Sequence, residues 1–172
     1  MERVVERNDI HGLSGGSPAV RLRPEQPGDE AFLAEVYAST RREEMDLTNW
    51  DAATRAAFLD MQFKAMRNGY QTMFPRAQFS IILLDEAPVG RMVVDRATAE
   101  IRVVDIALLP AHCGRGIGTK LMREVMDEAA RLATPVRLCV FQGTRAISFY
   151  LRLGFSPGES GVYQSMEWRA PA

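Results

Sequence analysis

The chain has little cysteine, little histidine and no surplus of either charge. Two cysteines, Cys113 and Cys139, stand among 172 residues with no paired spacing. That argues against a disulfide framework or a zinc site and suits a reducing cytoplasm, the expected compartment. Two histidines, His11 and His112, are too few to gather a metal cluster, so no metal is expected. Lys and Arg number 21 against 22 Asp and Glu, a net charge of −1. Nothing in that balance suggests a nucleic-acid groove or a basic membrane patch. No apolar run approaches the ~20 residues of a membrane span. Met1–Ser17 is charged, contains Gly and Ser, and lacks the apolar stretch of a signal peptide. Residues 1–18 are expected to fray, and residues 19–172 to form one domain with a sizeable core.

What is present is a clear succession of elements. Val20–Arg23 reads as a strand stopped by Pro24. Pro27-Gly28-Asp29 reads as a turn, with Asp29 the N-cap of a helix that reaches about Arg42 and buries Phe32, Leu33, Val36 and Tyr37. Glu43–Asn49 reads as a polar connection. Asp51 caps a second helix carrying Phe58, Met61, Ala65 and Met66, ended near Asn68-Gly69. Tyr70–Arg76 reads as a loop. Gln78–Leu84 and Val89–Arg96 form a hairpin across Asp85–Pro88. Further strands are expected at Ile101–Leu109, Val136–Phe141 and Val162–Trp168, with a helix after each of the first two. The order β-αα-β-β-β-α-β-α-β is α/β with a mixed sheet.

The most telling segment is Leu109-Pro110-Ala111-His112-Cys113-Gly114-Arg115-Gly116-Ile117-Gly118-Thr119. Three glycines at alternate positions lie between the β-branched run Ile101–Leu109 and a helix in which Leu121, Met122, Val125, Met126, Ala129 and Leu132 recur at helical spacing. A glycine-rich turn at a strand–helix junction offers free N–H groups, the positive end of the helix dipole and room for close approach, which together suit a phosphate. Arg115 adds a full charge. A P-loop is ruled out because Gly118-Thr119-Lys120 has the wrong order, and a dinucleotide fingerprint because the spacing is Gly-x-Gly-x-Gly.

This run resembles motif A of the GNAT N-acetyltransferase superfamily, Gln/Arg-x-x-Gly-x-Gly/Ala. Gly116 and Gly118 fill its glycine positions, and Cys113 stands where Gln or Arg is usual. Asp105–Pro110 looks like that family's fourth strand and exit proline. Downstream, Ala146-Ile147-Ser148-Phe149-Tyr150-Leu151-Arg152-Leu153-Gly154-Phe155 resembles motif B, with Gly143 in place of its usual Asn. Independently of any family, Ala146, Phe149, Tyr150 and Leu153 share one face of a short helix that Gly154 can terminate. The resemblance covers residues 100–155 in detail and 20–168 in layout.

The resemblance implies a GNAT-like mixed central sheet flanked by helices, and an acetyl-CoA-dependent N-acetyltransferase acting by direct attack of a primary amine. Acetyl-CoA would be a consumed co-substrate. Its pyrophosphate would lie on Cys113, Gly114, Arg115, Gly116, Ile117, Gly118 and Thr119, and its pantetheine arm on the backbone of Ala107 and Leu108, where strands four and five splay. An N–H near Leu108 would hold the oxyanion. Tyr150 would be the general acid, a phenol of pKa ~10 donating to a thiolate of ~8.5. Asp105 is either a base working through water or an ion-pair partner of Arg91 or Arg137, since an unpaired buried carboxylate is costly. Val104 occupies a place where many relatives carry Glu. Glu43, Glu44 and Asp46 border the implied acceptor site and would draw a cationic amine; Trp50 and Phe74 are pocket or core. Cys139 is expected in the core and His112 in a loop. The acceptor is a small-molecule or peptide amine, and a homodimer is an allowed assembly. The rival reading is a non-catalytic acyl-CoA-binding sensor on the same fold. A third is a phosphate-ligand domain unrelated to CoA.

Overall fold

The computed structural model describes residues 19–97 and 99–171. The expected tail, 1–18, lies outside them. Seven strands form one sheet in the order β1-β2-β3-β4-β5-β7-β6. They are β1 Val20–Pro24, β2 Gln78–Leu84, β3 Ala87–Arg96, β4 Ile101–Leu108, β5 Val136–Phe141, β6 Ser156–Ser160 and β7 Tyr163–Trp168. Only β4 and β5 run parallel. The helices are α1 Glu30–Thr40, α2 Arg42–Asp46, α3 Ala52–Met73, α4 Ile117–Arg131 and α5 Ala146–Arg152.

Two cores follow from the two faces of the sheet. On one, α4 and α5 bury Leu121, Met122, Val125 and Tyr150 against Ile82, Met92, Ile101, Leu138 and Met166. On the other, α1 and α3 bury Leu33, Tyr37 and Phe63 against Ile81 and Leu83. Each large apolar side chain so buried is worth about 1.5–3 kcal/mol. Leu132 escapes this pattern. It sits at the C-cap of α4 and is 63% exposed.

Several boundaries differ from expectation for local reasons. Asp29 does not cap α1 with its side chain. Its carboxylate accepts from the Gln26 N–H at 2.8 Å and pairs with Arg23. The polar run after α1 coils into α2, with Glu43 and Glu44 in its first turn, where the helix dipole favours them. Asp51 caps α3 as expected, accepting from Thr54 N–H at 2.7 Å. Gly69 does not end that helix. Pro75 does, because a residue before proline avoids helical dihedrals, and Phe74 sits at φ −129°, ψ 65°. The β2–β3 hairpin is tighter than expected: Asp85 and Glu86 both have positive φ, as a two-residue type I′ turn requires, so Ala87 and Pro88 belong to β3. Strand β6 lies outside the element order expected from the sequence; a place at the sheet edge lets Ser156-Pro-Gly-Glu-Ser pair with β7 despite its proline.

One irregularity decides the site. Val93 pairs with Asp105 and Val94 with Val103, so Val104 is an extra residue, a bulge in β4. Alternation flips across it. Ile101 and Val103 face the α4 side before the bulge, and Ile106 and Leu108 pack there after it. Asp105 is thereby turned to the α1/α3 side, beside Phe63, Met66, Tyr70 and Arg91.

Candidate active site

Strands β4 and β5 pair only at Ile101–Val136 and Arg102–Arg137. Beyond that they part, because β4 bends at its bulge while all six residues of β5 stay paired to β7. Between them opens a cleft of about 170 Å³ whose walls include Val104, Asp105, Cys139, Phe141 and Tyr150. On the α4/α5 side a groove of about 610 Å³ runs from Ile106–Leu108 past Cys113–Gly114 and Gly116–Thr119 to α5.

The parted edge of β4 carries unused backbone groups. Leu109 N–H donates to Val89 C=O at 2.9 Å. Antiparallel alternation then turns Asp105 and Ala107 toward β3, and Ile106 and Leu108 toward the cleft. Gly90 confirms this geometry, because a Cβ there would lie 2.3 Å from the Ala107 carbonyl oxygen. Of the two residues expected to meet a pantetheine arm, Leu108 presents its backbone. Ala107 is turned away, and Ile106, which the sequence did not single out, takes its place.

In the glycine turn, Gly114 and Gly116 hold φ +73° and +81°, conformations that L side chains rarely adopt. Gly116 is the N-cap of α4 and offers no side chain to its amides. The first helical bond is Lys120 N–H to Gly116 C=O, 2.9 Å, so Ile117, Gly118 and Thr119 have no donor partner within the helix. A Cβ on Gly116 would meet nothing within 4 Å, and one on Gly118 only the Phe149 ring edge at 3.6 Å. The Ile117 side chain is in the core, so this residue offers only backbone. Arg115 is exposed and does not line the groove; Arg145 and Arg152 of the α5 segment do. Three free amides with arginines opposite suit a phosphorylated ligand. Cys113 is exposed, its Sγ 3.6 Å from Leu109 C=O and 3.7 Å from Leu108 C=O, within reach of weak S–H bonds that hold the start of the turn. His112 lies in a single 3-10 turn, as the loop assignment expected.

Tyr150 is 7% exposed and packs edge-on against Phe149 and Phe155, at 5.0 and 5.6 Å between centroids. Burial first, and the Asp105 charge second, hold its phenol well above the ordinary tyrosine range. Asp105 pairs with Arg91 through Oδ2 and Nε. Arg137 instead joins Glu100 and Glu167, each at 2.7 Å. Arg91 is 6% exposed and lies over the Tyr37 ring, 5.8 Å from its centroid. The Oδ1 of Asp105 makes no hydrogen bond to a described residue. Tyr70, from the last turn of α3, stands near the same carboxylate. Burial and Asp105 push its phenol up to about 12.

The remaining candidates are more dispersed. Glu44 pairs with Arg41 and Asp46 with Arg55, which offsets two of the three acidic charges. Asp46 lines a separate hollow of about 520 Å³ that also holds Glu35, Arg42 and Leu109–Ala111; Glu43 and Glu44 do not. Trp50 is 43% exposed and packs edge-on against Phe58, and Phe74 is half-buried at the end of α3; neither lines the cleft or the groove. Cys139 is exposed rather than in the core. It shares with Arg137 and Phe141 the less buried face of β5, while Val136, Leu138 and Val140 on the opposite face enter the core.

Among the described residues no helix is long and apolar enough to cross a membrane. No curated protein sequence matches the chain. Solved structures match its fold. The PaiA N-acetyltransferase of Thermoplasma acidophilum, in complex with coenzyme A, superimposes with TM-score 0.66 at 17% identity, over 88% of this chain and 99% of that one. An acetyltransferase of Thermus thermophilus gives 0.64 at 15% identity, over 88% and 97%. Ard1 of Thermoplasma volcanium gives 0.56 at 21%, over 90% and 99%. Residues 75–157, which span β2 through α5 and hold the cleft, the glycine turn and Tyr150, match the acetyltransferase (GNAT) domain model. Residues 75–157 are thus similar to a GNAT acetyltransferase domain, and the described residues share the mixed, mostly antiparallel sheet of the solved acetyltransferases.

Proposed function

We propose that the chain transfers an acetyl group from acetyl-CoA to a primary amine, of a small molecule or a peptide, by direct attack. The observation that carries this reading is the parting of β4 and β5, which joins a phosphate-suited turn to a buried phenol through one continuous groove. The pyrophosphate would rest on the amides of Ile117, Gly118 and Thr119. The pantetheine arm would pair, strand-like, with Ile106 and Leu108. The amine nitrogen attacks the thioester carbonyl carbon, and the oxyanion meets a cleft-facing N–H of β4. The C–S bond breaks, and the thiolate takes the Tyr150 proton. The proton lost by the amine leaves through water toward Oδ1 of Asp105, whose other oxygen Arg91 holds in place. A phenol with a raised pKa stays reliably protonated but is a weak acid, so its main contribution is a hydrogen bond that strengthens as charge builds on sulfur, and the proton it gives up is regained at once from water.

The test is thioester consumption with a broad amine panel, beside CoA affinity by calorimetry. Turnover with at least one amine, and an acetylated product by mass spectrometry, is the expected result. CoA binding without turnover across the panel would instead favour a sensor. Binding of phosphorylated ligands that lack the pantetheine arm, as tightly as CoA, would favour a domain unrelated to CoA.

A further inference from the structure

The cleft between β4 and β5 passes through the sheet. On the α4/α5 side it meets the groove at Tyr150, which lines both. Its other mouth opens on the opposite face. There Asp105 stands on β4, and Phe141 stands on β5, where alternation turns it away from the core that takes Leu138 and Val140. A ligand held in the groove leaves this second mouth free, so an attacking amine has an entrance of its own.

The second mouth has an aromatic rim. Phe141 and Tyr163 are paired directly across β5 and β7, and their rings meet edge to face with centroids 5.7 Å apart. Both are more than half exposed. Single exposed apolar side chains are ordinary, but two stacked rings on the lip of a cleft mark apolar surface that a ligand can cover. On the other lip stands Tyr70, at the end of α3. Burial and Asp105 raise its phenol most, and Tyr163 adds to the rise, so the two tyrosines overlook one carboxylate. The mouth does not suit a polycation. Among the described residues, the ionic side chains that act on Tyr70 are Asp105, Arg91 and Arg41, one carboxylate against two guanidiniums. Glu25, below Tyr70, is held by Arg67, and Glu44 by Arg41.

We propose that Phe141 and Tyr163 form the acceptor wall, and that the acceptor is an arylalkylamine, a primary amine carried on a flat aromatic body by a short alkyl chain. This rests on the acetyl-transfer reading above. The ammonium is drawn to Oδ1 of Asp105, which no described residue holds, and loses its proton there by the path already given. The aromatic body lies on the exposed rings, where edge-to-face or offset contact is favoured and water leaves both surfaces. A linear alkylamine gains the same charge contact and covers less of the rim. A diamine brings a second cation toward Arg91 and Arg41, where repulsion opposes it.

Steady-state kinetics of the intact chain with acetyl-CoA tests the wall, with phenethylamine, hexylamine, putrescine and a short peptide as acceptors. The value of kcat/KM should be about tenfold or more higher for phenethylamine than for hexylamine, and lowest for putrescine. In the Phe141→Ala/Tyr163→Ala double variant the preference for phenethylamine over hexylamine should shrink to about twofold or less, with CoA affinity by calorimetry unchanged. Tyr163→Phe should retain the preference, because the ring and not the hydroxyl makes the contact. Turnover that is best with hexylamine, putrescine or the peptide overturns the aromatic acceptor and leaves acetyl transfer standing. A preference that survives the double variant overturns the wall. If no amine of a broad panel is acetylated, the acceptor and the transfer reading fall together.

Discussion

At the scale of the residue, Tyr150 combines the roles of core aromatic and acid candidate. It packs between Phe149 and Phe155, yet lines both the groove and the cleft. Tyr150→Phe keeps that packing and removes one proton. The expected result is a 10²–10⁴-fold fall in kcat with CoA affinity unchanged, measured by steady-state kinetics and calorimetry. The pH profile adds a second signature. An acid works while protonated and is lost as pH rises through its pKa. Because burial and Asp105 raise that pKa, any alkaline fall owed to Tyr150 must lie above the ordinary value of ~10. A fall centred below pH 9 that vanishes in Tyr150→Phe would contradict the buried environment. Helical spacing alone makes Tyr150 a core residue, and only the resemblance to motif B singles it out as an acid; the sequence names Asp105 in the same way. It could not choose between Arg91 and Arg137 as the partner of Asp105, because partner choice depends on which face of β4 the carboxylate takes.

At the scale of the element, the β4–α4 junction shows what each glycine does. Gly114 and Gly116 are demanded by backbone conformation, since both have positive φ. Gly118 is not. It is the second residue of α4, has ordinary helical space around it, and leaves open the surface its amide faces. Gly116→Glu would therefore mix backbone strain with charge repulsion, whereas Gly118→Asp isolates the charge. An acidic residue in the first turn of a helix is favourable to the helix itself. The variant should keep or slightly raise Tm and still lose at least tenfold in CoA affinity, about 1.4 kcal/mol. Unchanged affinity in calorimetry would remove the phosphate from α4. The strand–turn–helix order here was legible because β-branched residues, three glycines and a helical apolar stripe follow one another without ambiguity. Strand β6 and helix α2 were not legible: a Pro-Gly segment and a charged pentapeptide have no strong preference of their own and take their form from what they pack against.

At the scale of the whole molecule, the Arg91–Asp105 pair ties the sheet to the α1/α3 layer. Arg91 is buried, stacks on Tyr37 of α1 and reaches the Met66 sulfur of α3 at 3.4 Å. Arg91→Met would leave a partly buried carboxylate unpaired. A loss of about 3–5 kcal/mol in unfolding free energy is expected by denaturant titration, against a much smaller loss for Arg91→Met combined with Asp105→Leu. Equal losses for the single and the double variant would show that the pair does not couple the two layers. By itself the sequence determined the fold class, the glycine turn, α4, β5 and α5, because local conformational preference and apolar periodicity agree there. Tertiary structure decided the rest. The bulge at Val104 comes from the register against β3, which no local pattern records. It turns Asp105 to one face and frees Ile106 and Leu108 on the other. A one-residue slip in a strand reverses every side chain beyond it, so this single residue sets the facing of β4 from Asp105 to Leu108.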